Sequence, residues 1–557
     1  MSDKKSPDYS KLFQIDPHHV EHMGSLMKFF GQTAMNPMEF WGHAGKAGMQ
    51  VSRAMLSAKP VETDARDKRF TDPVWDSNPA YRALKNGFLS WCNELDGWVD
   101  GLQLEERDRE RARLMLSTFS DTIAPTNTLL GNPSAIKKTL DTGGKNLIEG
   151  FKNFIGDMSD NNGMPSMVDK SQFEVGGNLA ISPGKVVFRD DYLEIVQYQP
   201  TTAEVNKTPI FLVPPQINKF YIYDIAPERS MIEYLVSQGQ QVFAVSWYNP
   251  TAKQSHWSLD DYVRGLDEAT EAVCNITGSK QLHMVGACSG GITISALLGY
   301  WQAKGIERAL TATLLVTILD TDGSRNTSMG LMTSLEAMEL ARVASAQKGV
   351  LEGRELAMIF AWLRPNELIW NYWVNNYLMG NAPPAFDILY WNADTTNLPA
   401  QLHSDFIDVL EENAFTKPNA VEVLGEKIDM SKVTCDGFIV GATTDHITPW
   451  DGCFRNMNIK GGKNEFILSS SGHIQAIVNP PTNKRAKFLT NGDDCTTAEE
   501  FLAGAQENTG SWWDYFVEWI NARSEGTKKT PKALGNKKYK PLAEAPGTYV
   551  KMQDRIA

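Results

Sequence analysis

From residue 185 onward the chain alternates short apolar runs with longer amphipathic ones, a rhythm that predicts alternating strands and helices. Residues 185–189 and 193–198 read as the two strands of a hairpin, with Asp190-Asp191 at the turn. Residues 209–213 are an apolar strand that stops at a proline turn, and 228–237 a helix closed by Gly239. The next strand is 242–247. Ser258, with Asp261 three residues on, has the form of a capping box and opens a helix that runs to about Cys274. Residues 282–285 read as a strand, 292–302 as a helix and 312–319 as a further strand. The same rhythm returns at 435–440 and 465–469. Strands and helices in this alternation predict a mainly parallel sheet covered on both faces.

Two long stretches break the rhythm. Residues 1–180 carry helical periodicity: Met27, Phe29, Phe30 and Met38 among small and polar residues, then an aromatic-rich segment at 81–104 and a charged, apolar one at 109–120. Repeated Gly, Asn and Pro over 127–169 predict short helices joined by loops. This region is compatible with a helical domain packed on a catalytic core and equally with an adhesion or regulatory surface. Residues 321–432 are mostly helical and aromatic, with Ile369-Trp370-Asn371-Tyr372-Trp373 and Phe386-Asp387-Ile388-Leu389-Tyr390-Trp391. An insertion between two core strands at this point sits above the carboxyl edge of the sheet, where a cap or lid belongs. The alternative is a second packing layer remote from chemistry. The expected organisation is therefore an N-terminal mainly helical domain over 1–180 and an α/β domain over 181–557 with a large helical cap at about 321–432. Near the end, Trp512-Trp513-Asp514-Tyr515-Phe516 predicts a helix that covers the sheet, and 541–557 reads either as a docked extension or as a frayed end.

Composition narrows the function. The formal net charge of −13 argues against nucleic acid as the main partner, because a phosphate backbone requires a concentrated basic surface. A small anionic substrate in a local basic pocket remains compatible. No uninterrupted apolar run reaches the roughly 18 residues of a transmembrane segment. The first residues show no apolar signal core, so secretion is not expected. Cys92, Cys274, Cys288, Cys435, Cys453 and Cys495 are scattered, with neither a CxxC pair nor a disulfide-scaffold spacing. A reducing compartment would keep Cys288 a free thiol. No dense cluster of ligating residues predicts a metal, and no cofactor is expected.

Cys288 stands in Gly286-Ala287-Cys288-Ser289-Gly290-Gly291, between the 282–285 strand and the helix that follows. A small-residue turn there pushes one side chain out at a sharp angle, which is the nucleophile elbow of an α/β-hydrolase fold with cysteine in the usual serine position. Such a nucleophile needs a base and a group that orients the base. His473, just after the 465–469 strand, is the candidate base, and Asp445, just after the 435–440 strand, is the candidate acid. The order Cys, Asp, His is the hydrolase order, and all three fall at the edge of the sheet where open α/β folds bind ligands. Asp320 is a second candidate acid. His446 either supports the site, touches substrate or is structural. Oxyanion donors are expected from the backbone N–H of Ser289 and from the turn after residue 213, at Gln216 or, preferably, Ile217. A cysteine in this position suits exchange between acyl-sulfur species. The acceptor is water in a hydrolase or an alcohol in an ester-forming transferase, and an apolar lid that excludes water favours transfer.

Several longer motifs carry a family resemblance. They include Phe70-Thr71-Asp72-Pro73-Val74-Trp75, Pro214-Pro215-Gln216-Ile217-Asn218-Lys219-Phe220-Tyr221 and Ser246-Trp247-Tyr248-Asn249-Pro250. Later ones are Arg364-Pro365-Asn366-Glu367, Asn371-Tyr372-Trp373-Val374-Asn375-Asn376-Tyr377, Asp445-His446-Ile447-Thr448-Pro449-Trp450 and Ser471-Gly472-His473-Ile474. With the elbow, they resemble the polyhydroxyalkanoate synthases over residues of about 65–550, most closely the single-subunit, medium-chain class of pseudomonads. The resemblance implies polymerisation of (R)-3-hydroxyacyl-CoA with release of free CoA, with Cys288 as nucleophile, Asp445 as acid and His473 as base. It also implies a homodimer in the cytoplasm, holding a growing polyester chain at a granule surface, and basic groups for the CoA phosphates, among which Arg364 is a candidate. Two rival readings are an acyl-CoA thioesterase or esterase with the same triad, and a non-catalytic granule-associated protein.

Overall fold

The computed structural model describes residues 37–553 apart from 65–66, 326, 333–334 and 493–494. Met27, Phe29 and Phe30 lie outside the described residues. The chain forms two compact units. One comprises Met1–Met167, Gly330–Glu339 and Ala361–Pro384, the other Val168–Met329, Leu340–Phe360 and Ala385–Ala557.

The first unit is helical. Its main helices are Pro37–Leu56, Pro79–Gly101, Glu106–Thr122, Pro133–Asp141 and Lys145–Asp160. Two begin on an asparagine cap followed by proline at the first helical position: Asn78 accepts from the Ala80 N–H and Asn132 from the Ala135 N–H. The aromatic segment around residues 366–378 belongs to this unit and docks on Lys145–Asp160. Tyr377 Oη donates to Asp157 (2.7 Å), Asn146 Nδ2 to the Leu378 carbonyl (2.8 Å) and Asn153 Nδ2 to the Asn376 carbonyl (2.9 Å). Gly150 makes this approach possible, since a Cβ there would lie 1.9 Å from the Tyr377 carbonyl oxygen.

The second unit is an α/β-hydrolase fold carrying a large helical insertion. Among the described residues one sheet has eleven strands. They are β1 (Gly184–Arg189), β2 (Leu193–Tyr198), β3 (Ile210–Val213), β4 (Val242–Trp247), β5 (Leu282–Ala287), β6 (Ala309–Leu315), β7 (Asp436–Ala442), β8 (Asn464–Ser469), β9 (Lys487–Thr490), β10 (Gln506–Thr509) and β11 (Ala543–Glu544). Their spatial order is β10-β9-β8-β7-β6-β5-β3-β4-β2-β1-β11. The six strands β3 to β8 are parallel. The outer strands are antiparallel.

Period-two alternation sends successive side chains to opposite faces, and both faces are covered. Phe211, Val213, Phe243, Val245 and Met284 pack with Val263 and Leu266 of helix Leu259–Thr277 and with Ile294, Leu297 and Trp301 of helix Ser289–Lys304. The interleaved Ile210, Leu212, Val242, Ala244 and Val285 pack with Ile232 and Leu235 of helix Met231–Ser237 and with Trp512, Trp513 and Phe516 of helix Trp512–Asn521. The capping box at Ser258 and Asp261 is present, and Asp190 closes the β1–β2 hairpin by accepting from the Tyr192 and Leu193 N–H groups.

Some bounds differ from the sequence reading. The strand expected at 312–319 is Ala309–Leu315, because Val316 turns to a φ of +43° and the chain bends toward the elbow. The helix expected from 228 begins at Met231, with Ser230 as its cap. β9, β10 and β11 fall outside the sequence reading: β10 and β11 are short, polar edge strands, and β9 is a four-residue strand between β8 and β10, too short to show an alternation. No helix among the described residues is long and apolar enough to cross a membrane.

Candidate active site

β3 lies between β4 and β5, so the chain crosses the sheet after β4 and opens a crevice at the carboxyl ends of β3 and β5. Cys288 projects from the end of β5, with φ +50° and ψ −121°, a conformation that side-chain-bearing residues rarely adopt. The surroundings hold it there. Its N–H donates to the Leu315 carbonyl (2.9 Å), and its carbonyl accepts from the Gly291 N–H (2.9 Å) and from Thr317 Oγ1 (3.1 Å). The glycines of the elbow are steric necessities. A Cβ on Gly286 would meet the Gly290 carbonyl oxygen at 2.8 Å, one on Gly290 the Val213 carbonyl oxygen at 2.5 Å, and one on Gly291 Thr317 Oγ1 at 2.1 Å.

His473 opens the short helix His473–Ile477 after β8, and Asp445 lies in the loop after β7. Their side chains meet, Nδ1 to Oδ2, at 2.7 Å. The Asp445 carboxylate is fully buried and well satisfied: Oδ1 accepts the Ile447 and Thr448 N–H groups (both 2.9 Å), and Oδ2 also accepts Thr448 Oγ1 (2.8 Å). Burial alone would raise this carboxyl, but the histidine and Thr448 outweigh it and hold it below the ordinary range. For His473, burial acts downward, while Asp445 by charge and hydrogen bond, and Cys288 to a smaller degree, push it up to about 10. With Nδ1 turned to Asp445, Nε2 is the ring nitrogen left for the thiol. Cys288, His473 and Asp445 are thus brought together.

The other sequence candidates fall as follows. Ser289 is the first residue of the elbow helix, directly after Cys288. In the loop after β3, the Gln216 N–H donates to Ser289 Oγ (3.2 Å) and the Gln216 amide to Thr293 Oγ1 (2.7 Å), so Gln216 is tied to the elbow helix. Ile217 follows it. Asp320 accepts from Asn413 Nδ2 (2.9 Å) and faces Arg455 (3.4 Å) in place of His473. His446 is half-buried. Arg364, in the helical unit, pairs with Glu367 at 3.0 Å.

Three contributors escaped the sequence reading. Thr448 donates to Asp445 and lies 3.0 Å from His473 Nδ1. Thr317 backs the elbow. The buried Cys453 thiol contacts the Thr448 carbonyl (3.5 Å), and burial, then Asp445, push it well above the usual thiol range. Only Thr448 carries a local signal, a hydroxyl three residues after the aspartate in a turn.

A family model described as the N-terminus of poly-beta-hydroxybutyrate polymerase (PhaC) matches residues 66–235, and one described as the alpha/beta hydrolase fold matches residues 209–480. The chain is 45% identical over 528 residues to poly(3-hydroxyalkanoate) polymerase 1 of Ectopseudomonas oleovorans, covering 95% of this chain and 94% of the relative. Polymerase 2 of the same organism is 44% identical over 529 residues, with the same coverage. The poly(3-hydroxyalkanoate) polymerase subunit PhaC of Cupriavidus necator is 35% identical over 505 residues, covering 90% and 85%. The elbow, the sheet that carries it and this full-length similarity agree: the chain belongs to the poly(3-hydroxyalkanoate) polymerase family and is an acyltransferase on an α/β-hydrolase fold.

Proposed function

We propose that this protein polymerises (R)-3-hydroxyacyl-CoA, medium-chain monomers by preference, into polyhydroxyalkanoate with release of CoA, and that Cys288, His473 and Asp445 carry the chemistry. The supporting observation is a thiol on a hydrolase elbow beside a histidine held by a buried carboxylate. Cys288 and His473 Nε2 share one proton, and with that proton on Nε2 the thiolate attacks the thioester carbonyl. The Ser289 and Ile217 N–H groups receive the oxyanion. Gln216, the alternative donor, has its N–H committed to Ser289 Oγ. Collapse forms the Cys288 acyl thioester, breaks the bond to the CoA sulfur and returns the proton to CoA. In the second half, His473 takes the proton of a 3-hydroxyl, whose oxygen attacks the acyl group. An ester forms, the bond to Cys288 breaks, and the thiol is restored. Asp445 holds His473 in the tautomer that accepts at Nε2 and stabilises the imidazolium. The working form is taken to be a homodimer at the surface of a cytoplasmic polyester granule, a reading that rests on the family resemblance.

The test is a panel of four- to twelve-carbon (R)-3-hydroxyacyl-CoAs with polymer and free CoA both measured. Polymer in step with CoA, with best turnover at eight to twelve carbons, is the expected result. CoA release with free hydroxy acid and no polymer supports a thioesterase instead. Polyester binding without CoA release supports a non-catalytic granule protein.

A further inference from the structure

The loop that follows β3 is fastened at two ends. At its base, Trp247 Nε1 donates to the Pro214 carbonyl (2.9 Å) and Gln216 is bound to the elbow helix. At its far end a short segment of the insertion lies along it. The Thr396 N–H donates to the Ile217 carbonyl (2.9 Å), and Asn218 and Thr395 form an antiparallel bridge. Trp391 Nε1 donates to the Lys219 carbonyl (2.6 Å), and Tyr221 Oη donates to Asp394 Oδ2 (2.8 Å). Residues 217, 219 and 221 are therefore each gripped by a different residue of the 391–396 segment. The grip is mostly buried: Tyr221 is fully buried and Trp391 is 5% exposed, while Asp394 is half-buried. The buried Trp391–Lys219 bond is not readily exchanged for water, and together the contacts resist displacement of the loop.

We infer that Trp391 and Asp394 are positioning residues for oxyanion stabilisation, fixing the loop that carries Ile217 beyond the point where Gln216 is bound to the elbow helix. This rests on the reading that the Ile217 N–H is an oxyanion donor. Ile217 then lies between Gln216, held by the elbow, and its own carbonyl, held by Thr396. Donor geometry matters steeply, because an oxyanion donor acts only when already aimed at the developing charge. Release of the 391–396 segment loosens the donor while leaving Cys288, His473 and Asp445 in place, since their hydrogen bonds involve none of these residues.

Two reactions at the same sulfur separate positioning from general support. Acylation of Cys288 by an (R)-3-hydroxyacyl-CoA passes through an oxyanion, whereas alkylation by iodoacetamide displaces iodide at a saturated carbon and needs no oxyanion hole. Both rates are measured for the full chain, for W391F, which deletes the indole N–H, and for Y221F, a smaller change that empties the Asp394 contact. The inference predicts acylation slowed by roughly tenfold or more in each variant, with alkylation within about twofold of the parent. Unchanged acylation in both variants overturns the inference. So does an equal fall in both reactions, which would mark general structural damage. A parent protein that alkylates at Cys288 yet is never acylated there instead overturns the proposed function on which the inference rests.

Discussion

Replacing Asp445 by asparagine tests the site at its most determined point. Both carboxylate oxygens face donors: Oδ1 meets two backbone N–H groups, and Oδ2 meets Thr448 Oγ1 and His473 Nδ1. An amide NH₂ in either position therefore points at a donor. If it faces His473, Nδ1 must become the acceptor and the ring proton moves to Nε2, where it blocks removal of the thiol proton. The electrostatic loss adds to this. A rise of the imidazole from 6.5 to about 10 corresponds to roughly 5 kcal/mol of preference for imidazolium. Asp445 is the largest upward cause in that balance, ahead of Cys288, so its neutralisation withdraws much of the preference for imidazolium. With the tautomer error, CoA release in D445N should fall by roughly 10²–10⁴-fold. The assay follows free CoA thiol under single-turnover conditions, with thermal unfolding as the control for folding. A D445N protein that keeps its kcat/KM within about threefold of the parent refutes the reasoning.

Three further outcomes follow from the same geometry. T448V keeps the side-chain shape but removes the hydroxyl bonded to Asp445, a charge-assisted bond worth about 1.5–3 kcal/mol; kcat/KM should fall by roughly 10- to 100-fold and T448S should restore it, whereas parental activity in T448V would show that the hydroxyl is idle. G290A places a Cβ 2.5 Å from the Val213 carbonyl oxygen and 2.6 Å from that of Pro214, both backbone atoms, so a destabilisation of about 1–3 kcal/mol with loss of turnover is expected; an unchanged Tm and kcat would contradict the packing argument. His473 titrates higher when folded than when unfolded, so its stabilisation is complete below about pH 6.5 and is lost as pH rises through about 10. The Tm difference between the parent and H473Q should therefore narrow from pH 6.5 to 10, and a difference that widens over that range contradicts the assigned ion pair.

Much of the catalytic unit is legible in the sequence because local and long-range demands coincide there. Strands buried on both faces are nearly continuously apolar, as at β3 and β4, and the elbow requires small residues at fixed spacing around Cys288. Asp445 and His473 are readable because each directly follows an apolar strand. The sequence is silent where structure depends on distant partners. Gln506–Thr509 is a strand only because Lys487–Thr490 supplies its hydrogen bonds. Tyr377 finds Asp157 across a gap of 220 residues, which no local pattern announces. The pinning of Lys219 by Trp391 is equally invisible, since an aromatic residue on a short helix reads as core until its indole N–H is seen to face a carbonyl.

The central claim is that Cys288 carries the acyl group that becomes part of the polyester. Peptide mass spectrometry of the parent and of C288A, quenched during turnover of an (R)-3-hydroxyacyl-CoA, tests it most directly. The account predicts a hydroxyacyl or oligoester adduct on the peptide containing Cys288, with neither adduct nor polymer from a folded C288A protein. Polymer formation by C288A at near-parental rate, or an adduct on any other residue, would contradict it.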